Sequence, residues 1–251
     1  MKHSVSTGKL RKSCIFALLV LLLIAGAGYR ALTSLLAERY IAALSWALAD
    51  KLIVIDPGHG GDDPGAVGSK GVHEKDIVLD VSKKLGAILR QAGAEVVLTR
   101  ETDHDLAGIT GNYSYRSKIE DLTRRVAIAN EKQADLFISI HVNSFPDPRE
   151  KGAQTFSQPG SAAGKQLAKA IQQELNNHLQ NSGRQDKQVD YFTNRMAKMP
   201  STIVEIGFIS NPGEESLMLN PQYQQKIAWS IYAGIARYLA EPKAAMSPYI
   251  R

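Results

Sequence analysis

Four polar side chains occur where short apolar segments of this sequence end or are interrupted. His59 follows the apolar run 52–55 in a glycine-rich turn, and His141 ends a similar run. Glu74 opens a helical pattern, and Glu205 interrupts an apolar segment. Imidazole and carboxylate groups are the ligands that Zn²⁺ takes in catalytic sites, where one position is left for water. The residue types therefore predict a hydrolytic zinc site with His59, Glu74 and His141 as ligands.

Glu205 differs from the other three residues because both of its neighbours, Val204 and Ile206, are apolar. A carboxylate is costly to bury without a partner or a chemical task. Near zinc-bound water, such a group can accept a proton as general base and return it as general acid. We therefore expect Glu205 to be the catalytic carboxylate.

Each of these residues also has a purely structural interpretation. His59 could fill a turn, Glu74 could cap its helix, and His141 could be a satisfied core histidine. Glu205 could pair with an arginine such as Arg100. A shared site is the better interpretation because all four residues fall at predicted strand ends or in the following loops.

Two further residues are candidates for contact with the substrate. Asn143 lies two residues after His141 and therefore on the same side of an extended segment. Its alternative role is to form the turn before Pro146. Arg100 is the second candidate, at the end of the predicted second strand.

The elements that must position these residues alternate between strands and helices. The predicted strands are 52–56, 94–99, 135–141, 153–157, 189–193 and 201–206, and the predicted helices are 75–92, 120–132, 162–181 and 221–240. The carboxyl ends of parallel strands share one edge of a sheet, so residues far apart in sequence converge there. We expect an α/β fold with a central, mostly parallel sheet of about six strands and helices on both faces.

The positive charge of the chain is concentrated near its beginning. The net charge is +5, of which residues 1–50 carry +4 and residues 51–251 carry +1. A nucleic-acid-binding domain carries its basic excess on the folded part, so no nucleic-acid partner is expected.

The N-terminal sequence is typical of an export signal or a membrane anchor. A basic flank precedes the apolar run from Cys14 to Tyr29. We predict a signal or anchor at 1–30, a hydrophobic linker at 31–50, a catalytic domain at 51–240 and a disordered tail at 241–251. An uncleaved anchor is favoured over a cleaved signal, and either places the domain outside the cytoplasm. Cys14 is the only cysteine, so no disulfide is expected in the exported domain.

The motifs together resemble the type-3 family of zinc-dependent N-acetylmuramoyl-L-alanine amidases. The resemblance spans about residues 51–240 of the chain. It is carried by these segments: Ile55-Asp56-Pro57-Gly58-His59-Gly60-Gly61, Gly65-Ala66-Val67-Gly68, Glu74-Lys75, Thr99-Arg100, Ser139-Ile140-His141-Val142-Asn143 and Val204-Glu205-Ile206-Gly207-Phe208-Ile209-Ser210-Asn211. By this resemblance His59, Glu74 and His141 would bind one zinc ion and Glu205 would be the catalytic carboxylate.

The resemblance also implies a substrate. Enzymes of this family cleave the amide between the lactoyl group of N-acetylmuramic acid and L-alanine in peptidoglycan. A short N-terminal anchor, the absence of wall-binding repeats and the loop 111–116 resemble the sporulation and germination subgroup. That subgroup strips peptides from spore cortex as a step toward muramic-δ-lactam. It implies a location in the space between the membranes of the developing spore, and a need for an activating protein partner stays open.

Two other functions remain as alternatives. One is a non-catalytic peptidoglycan-binding or regulatory module, which loss of a ligand or of Glu205 would have indicated. The other is a zinc peptidase that cuts within the stem peptide. The products separate an amidase from a peptidase, because only the amidase releases peptides that begin with L-alanine.

Overall fold

The computed structural model describes residues 7–108, 114–179 and 183–241. The chain divides into two compact units, Met1–Ala43 and Leu44–Arg251. The predicted tail lies outside the described residues except for Glu241, as does the start of the predicted basic flank, residues 1–6. The loop 111–116 is described only from Ser114 onward.

The first unit contains one long helix, α1 (Thr7–Ala43). Large apolar side chains of this helix, such as Phe16 and Leu23, are exposed. Among the described residues, no helix combines the length and the apolar character that a membrane crossing requires.

The second unit begins with a 3-10 helix, Leu44–Leu48, which packs against the last helix of the chain. The strands are β1 (Leu52–Pro57), β2 (Glu95–Leu98), β3 (Leu136–Asn143), β4 (Gln154–Ser157), β5 (Lys187–Gln188) and β6 (Ser201–Phe208). The helices are α2 (Glu74–Gln91), α3 (Tyr115–Glu131), α4 (Ala162–His178), α5 (Phe192–Met196), α6 (Pro212–Met218) and α7 (Pro221–Ala240).

The six strands form one sheet in the order β2-β1-β3-β6-β4-β5. Strand β1 pairs in parallel with β2 and β3, and β3 pairs in parallel with β6. Strand β4 runs antiparallel to β6 and parallel to β5. The predicted α/β fold with a mostly parallel six-stranded sheet is confirmed.

Helices cover both faces of this sheet. Helices α2, α4 and α7 pack together, while α3 and α5 form a separate layer. Val54 of β1 and Phe137 of β3 pack against Val126 and Ala129 of α3 in one buried cluster. Side chains alternate between faces along a strand, so Asp56 and His141, at even spacing from Val54 and Phe137, share the face of α3.

The predicted strand at 189–193 is wrong. Lys187 and Gln188 pair with β4, Val189 donates one further backbone hydrogen bond to the carbonyl of Ser157 at 3.0 Å, and the chain then turns into the short helix α5. The β-branched and aromatic residues of this segment favour a strand by local preference. Tertiary contacts override that preference, because Asn194 donates a side-chain hydrogen bond to the carbonyl of Phe156 and fixes α5 against the sheet edge.

Helix α3 begins five residues before its predicted start. Ser114 caps the helix, since its hydroxyl accepts the backbone N–H of Ser117 at 3.2 Å and the hydroxyl of Ser117 accepts the N–H of Ser114 at 2.8 Å. Such reciprocal capping satisfies backbone donors that a helix start leaves free. The earlier start makes Lys118 part of the first turns of α3.

Candidate active site

The turn after β1 carries His59 in an unusual backbone conformation. His59 has a φ of +61°, in the left-handed region that residues other than glycine seldom adopt. Arg100 donates hydrogen bonds to the carbonyls of Pro57 (3.0 Å) and Gly58 (2.8 Å). Arg125 donates to the carbonyls of Pro57 (2.7 Å) and His59 (2.6 Å). These two buried guanidinium groups hold the turn and thereby fix the direction of the imidazole.

Gly58 allows the imidazole of His141 to approach this turn. A Cβ atom at position 58 would collide with the His141 ring. The rings of His59 and His141 meet edge to face with their centroids 4.9 Å apart. The glycine is therefore required by close approach between two elements of the site.

Glu74, the first residue of α2, brings its carboxylate to both imidazoles. Its Oε1 lies 3.2 Å from Nε2 of His59 and 3.0 Å from Nδ1 of His141. The backbone N–H groups of Val142 (2.9 Å) and Ala66 (2.8 Å) donate to the two carboxylate oxygens and fix their orientation. One donor atom from each of the three side chains lies within 4.8 Å of the others. The group can therefore hold a metal ion.

Asp63 stands behind His59. Its Oδ2 contacts Nδ1 of His59 at 2.7 Å, which leaves Nε2 facing Glu74. A carboxylate in this position commonly fixes the tautomer and ring orientation of a metal-binding histidine. Burial lowers the pKa of His59, but the contacts with Asp63 and Glu74 outweigh burial and raise the pKa to about 9.

The pKa of the Glu74 carboxyl group shifts in the opposite direction. Burial raises its pKa, but hydrogen bonds with His141 and His59 and the charges of both imidazoles bring the pKa far below its usual range. Glu74 is therefore an anion at neutral pH, which is the form in which a carboxylate binds a cation.

His141 and Glu205 are neighbours in the sheet. The two residues are paired in the parallel register of β3 and β6, so their side chains leave the same face of the sheet. The register shifts just after this pair, between His141 and Asn143. The sheet itself thus places the carboxylate of Glu205 beside a candidate metal ligand.

Glu205 is the carboxylate of the site with an unsatisfied oxygen. Its Oε2 is buried and has no hydrogen-bond partner among the described residues. Burial raises the pKa of Glu205, and the negative charge of Glu74 raises it further, while the positive charge of His141 lowers it. The net result is a pKa of about 7. A carboxyl group with a pKa near 7 can both take and give a proton at neutral pH.

These groups open into a cavity of about 260 Å³ between the sheet and the α3–α5 layer. His59, His141 and Glu205 line one part of it, and the other walls come from α3 and the segment that starts α5. The remaining lining residues are Asp56, Gly58, Asp63, Lys118, Asp121, Leu122, Arg125, Tyr191, Phe192, Thr193 and Ile203.

The two predicted substrate-contacting residues are not among those that line the cavity. All hydrogen bonds of the buried Arg100 guanidinium go to backbone carbonyls, those of Pro57, Gly58, Lys75 and Thr102. Arg100 therefore positions the His59 turn and does not pair with Glu205. The side-chain oxygen of Asn143 accepts the N–H of Ser144 at 2.8 Å, so this residue shapes the turn after β3.

Sequence reasoning missed several residues that support the site. Asp63 carries one local signal, its position four residues after His59. Asp56 belongs to the motif around His59, but the sequence assigned it no role. Its buried carboxylate accepts hydrogen bonds from Thr99 (2.6 Å), Ser139 (2.7 Å) and Arg125 (3.0 Å). This network emerges only from the packing of three strands and α3.

The donor set fits a divalent transition metal. Two nitrogen donors and a carboxylate oxygen suit zinc, with the adjoining cavity leaving room for water or substrate. A carboxylate with a free oxygen and a pKa near 7 stands beside this set. The arrangement is suited to hydrolysis of an amide.

Comparison with known proteins identifies the family. The family model described as N-acetylmuramoyl-L-alanine amidase matches residues 53–237. The germination-specific N-acetylmuramoyl-L-alanine amidase of Bacillus subtilis is 45% identical over 200 residues, which cover 78% of this chain and 83% of that protein.

Solved structures of amidases have a fold similar to that of this chain. The CwlD amidase of Clostridioides difficile, in complex with the GerS lipoprotein, has 39% identity and a TM-score of 0.73, covering 76% of this chain and 98% of that one. The catalytic domain of the CwlV amidase of Bacillus (Paenibacillus) polymyxa has 32% identity and a TM-score of 0.66, covering 75% and 98%. The chain therefore belongs to the N-acetylmuramoyl-L-alanine amidase family and is an enzyme of that activity, which acts on peptidoglycan.

Proposed function

We propose that His59, Glu74 and His141 bind one zinc ion and that Glu205 is the catalytic carboxylate of the amidase. The observation that carries this proposal is the convergence of three donor atoms within 4.8 Å. When bound, zinc would polarise the scissile carbonyl and lower the pKa of water to about 7.

Glu205 moves the proton in this proposal. Its Oε2 accepts a proton from the attacking water and delivers it to the nitrogen of the leaving L-alanine. The pKa of about 7 suits both steps, because the group releases and binds a proton with little cost at neutral pH. Asp63 holds the His59 ring, while Arg100 and Arg125 hold the turn that carries it.

The experiment that tests this function is mass spectrometry of purified peptidoglycan digested by the full chain. We expect zinc-dependent release of peptides that begin with L-alanine and loss of that release with a chelator. Peptides that begin at a later stem residue would favour the zinc peptidase. Binding without any cleavage at full zinc occupancy would favour the non-catalytic module.

We further propose that the substrate is spore cortex and that the reaction is a step toward muramic-δ-lactam. The support is the germination-specific amidase of Bacillus subtilis, with which this chain shares 45% identity. Digestion of purified cortex and of vegetative wall by the same enzyme tests the proposal. A clear preference for vegetative wall would contradict it.

The site of action in this proposal is outside the cytoplasm, in the space between the membranes of the developing spore. The basic flank and apolar run of residues 1–30 support retention at a membrane as an uncleaved anchor. Cell fractionation combined with N-terminal sequencing tests this, since release into the soluble fraction with a new N-terminus would indicate a cleaved signal.

An activating protein partner is part of the same proposal. The support is the CwlD structure of Clostridioides difficile, which contains the GerS lipoprotein. Peptide release by the chain with and without a co-expressed lipoprotein from its own organism measures the need for a partner. Equal rates of peptide release by the zinc-saturated enzyme with and without the lipoprotein would show that no partner is needed.

A further inference from the structure

The cavity is lined by a lysine whose charge has no partner among the residues that the structure describes. Lys118 lies in the first turns of α3, lines the cavity and is exposed. Its ammonium group makes no hydrogen bond or ion pair with any described residue. The neighbouring stretch 109–113, Ile-Thr-Gly-Asn-Tyr, contains no acidic residue.

The nearby acidic side chain on the same wall already has hydrogen-bond partners. Asp121, one helical turn after Lys118, accepts the backbone N–H of Leu106 at 2.6 Å and Nε of Arg125 at 2.5 Å. Both of its carboxylate oxygens are thus occupied. The arginine of the lining, Arg125, is buried and bonded to Asp56, Asp121 and the His59 turn. Lys118 therefore gives the α3 wall a positive charge available to a ligand.

The substrate of the amidase carries negative charge on one side of the scissile bond only. The sugar side presents hydroxyl and acetamido groups, which are neutral. The peptide side presents the carboxylates of its acidic residues. A cation on one wall of the cavity therefore discriminates between the two directions in which the substrate can lie.

We propose that Lys118 binds a carboxylate of the stem peptide and so determines that the peptide lies along α3. The inference rests on the proposed function, because that function places the scissile bond at His59, His141 and Glu205. Lys118 is then a specificity-determining residue, and the enzyme prefers peptides with a free acid close to L-alanine over peptides with the corresponding amide.

The test uses two N-acetylmuramoyl peptides that differ only at the residue after L-alanine, which carries either a free carboxylate or a carboxamide. Dissociation constants are measured with the full chain carrying Glu205→Gln, so that binding is read without turnover. Values of kcat and KM are then measured with wild-type Glu205. We expect about fivefold tighter binding of the acid, the ratio typical of a partly exposed ion pair.

Variants at position 118 make the test specific. In Lys118→Ala the preference should disappear, in Lys118→Arg it should persist, and in Lys118→Glu the amide should bind better. The effect should fall on KM, with kcat changed less than twofold. Lys169→Ala, an exposed lysine of α4 away from the cavity, serves as the matched control and should keep the wild-type preference.

An unchanged acid-to-amide ratio in Lys118→Ala would overturn the inference while leaving the amidase function intact. A failure of the proposed function looks different, since wild-type protein loaded with zinc would then cleave neither peptide. The binding measurement would still report on Lys118 in that case, because it does not depend on cleavage.

Discussion

At the scale of a single residue, Glu205 has the properties that the proposed proton transfer requires. Its Oε2 is buried without a hydrogen bond among the described residues, and its pKa is raised to about 7. Both properties are unfavourable for stability and useful for proton transfer. A residue of this kind can be tested separately as a catalyst and as a source of instability.

Replacing Glu205 by Gln should abolish cleavage and leave metal binding in place. The carboxamide keeps the size of the side chain and cannot carry the proton, so we expect a loss of about 10²–10⁴-fold in kcat. Zinc content by mass spectrometry should stay at one ion per chain. Substantial turnover by this variant would refute the catalytic role of Glu205.

The same substitution should change how stability depends on pH in metal-free protein. The folded carboxyl group keeps its proton up to about pH 7, while the ordinary value is 4.5. The unfolded chain therefore binds fewer protons between these values, and the free energy of unfolding falls as pH rises through them, by up to about 3 kcal/mol.

Denaturant titrations of both proteins from pH 4 to pH 8, with chelator, measure this effect. In Glu205→Gln the free energy of unfolding should not fall in this way as pH rises, so the variant should be more stable than the wild type at pH 8. The shifted pKa of His59 is set mainly by burial and by its contacts with Asp63 and Glu74, which both proteins keep, so the difference between them reports chiefly on Glu205. If the free energy of unfolding depends on pH in the same way in both proteins, the carboxyl group of Glu205 has an ordinary pKa.

Asp63→Asn tests the support behind His59. The amide can still contact Nδ1 but no longer supplies a negative charge, so we expect zinc affinity to fall by about 10–100-fold. Competition with a fluorescent chelator measures the affinity. Asp62→Asn, at the adjacent residue outside the cavity lining, is the control and should bind zinc like the wild type.

The structure groups four of the predicted site residues and gives two others a different position, for identifiable reasons. His59, Glu74, His141 and Glu205 stand out in the sequence because each is a polar residue at the end of, or inside, an apolar segment, and the structure brings all four together. Arg100 and Asn143 have similar positions in the sequence, but the structure gives their polar atoms backbone partners. Sequence position alone does not tell where a long side chain finds its hydrogen bonds.

At the scale of elements, the site depends on a link between β1 and α3. Arg125 of α3 joins the buried carboxylate of Asp56 to the carbonyls of the turn that carries His59. The charges of Asp56 and Asp121 hold the pKa of Arg125 above its usual range although burial lowers it. Helix α3 therefore supports the turn and also forms a wall of the cavity.

Arg125→Leu should destabilise the fold by about 3–5 kcal/mol, because it leaves the carboxylate of Asp56 buried and uncompensated. Thermal unfolding measures the loss. Arg124→Leu is the matched control, since the neighbouring exposed Arg124 pairs with Glu120 at the surface and such pairs contribute about 1 kcal/mol or less. Equal losses in the two variants would show that the buried network contributes no special stability.

Helix α5, which the sequence did not predict, as it did not predict α6, also forms part of the cavity wall. The sequence of α5 favours a strand. Packing on α3 and the side-chain hydrogen bonds from Asn194 to the carbonyl of Phe156 and from Asn130 to the carbonyl of Met196 hold α5 in its helical form. The central strands were predictable because they are continuous apolar runs. Short elements at the edge of a sheet depend on contacts that a single sequence does not display.

At the scale of the whole molecule, we expect the proposed zinc binding to be coupled to folding. The proposed ligands come from a turn after β1, the start of α2 and the end of β3, so they converge only in the folded chain. Zinc at 1,000 times its dissociation constant should stabilise the fold by about 4 kcal/mol. We expect a chelator to lower the melting temperature of the wild type and to leave His141→Ala unchanged.

Calorimetry with and without zinc measures that difference. Phe145→Ala, an exposed residue after β3, is a control that should respond to zinc like the wild type. A wild-type melting temperature that is unchanged by zinc and by chelator would contradict metal binding by the folded protein.

The pairing of His141 with Glu205 on adjacent strands has a consequence for how such an enzyme can change over time. The spacing between the two side chains is set by the backbone ladder between β3 and β6, about 4.8 Å from strand to strand. The other walls of the cavity come from different elements, α3 and the segment that starts α5. Mutations can therefore change the composition of these walls while the distance between His141 and Glu205 stays fixed, so the same scaffold can accept walls that bind different substrates.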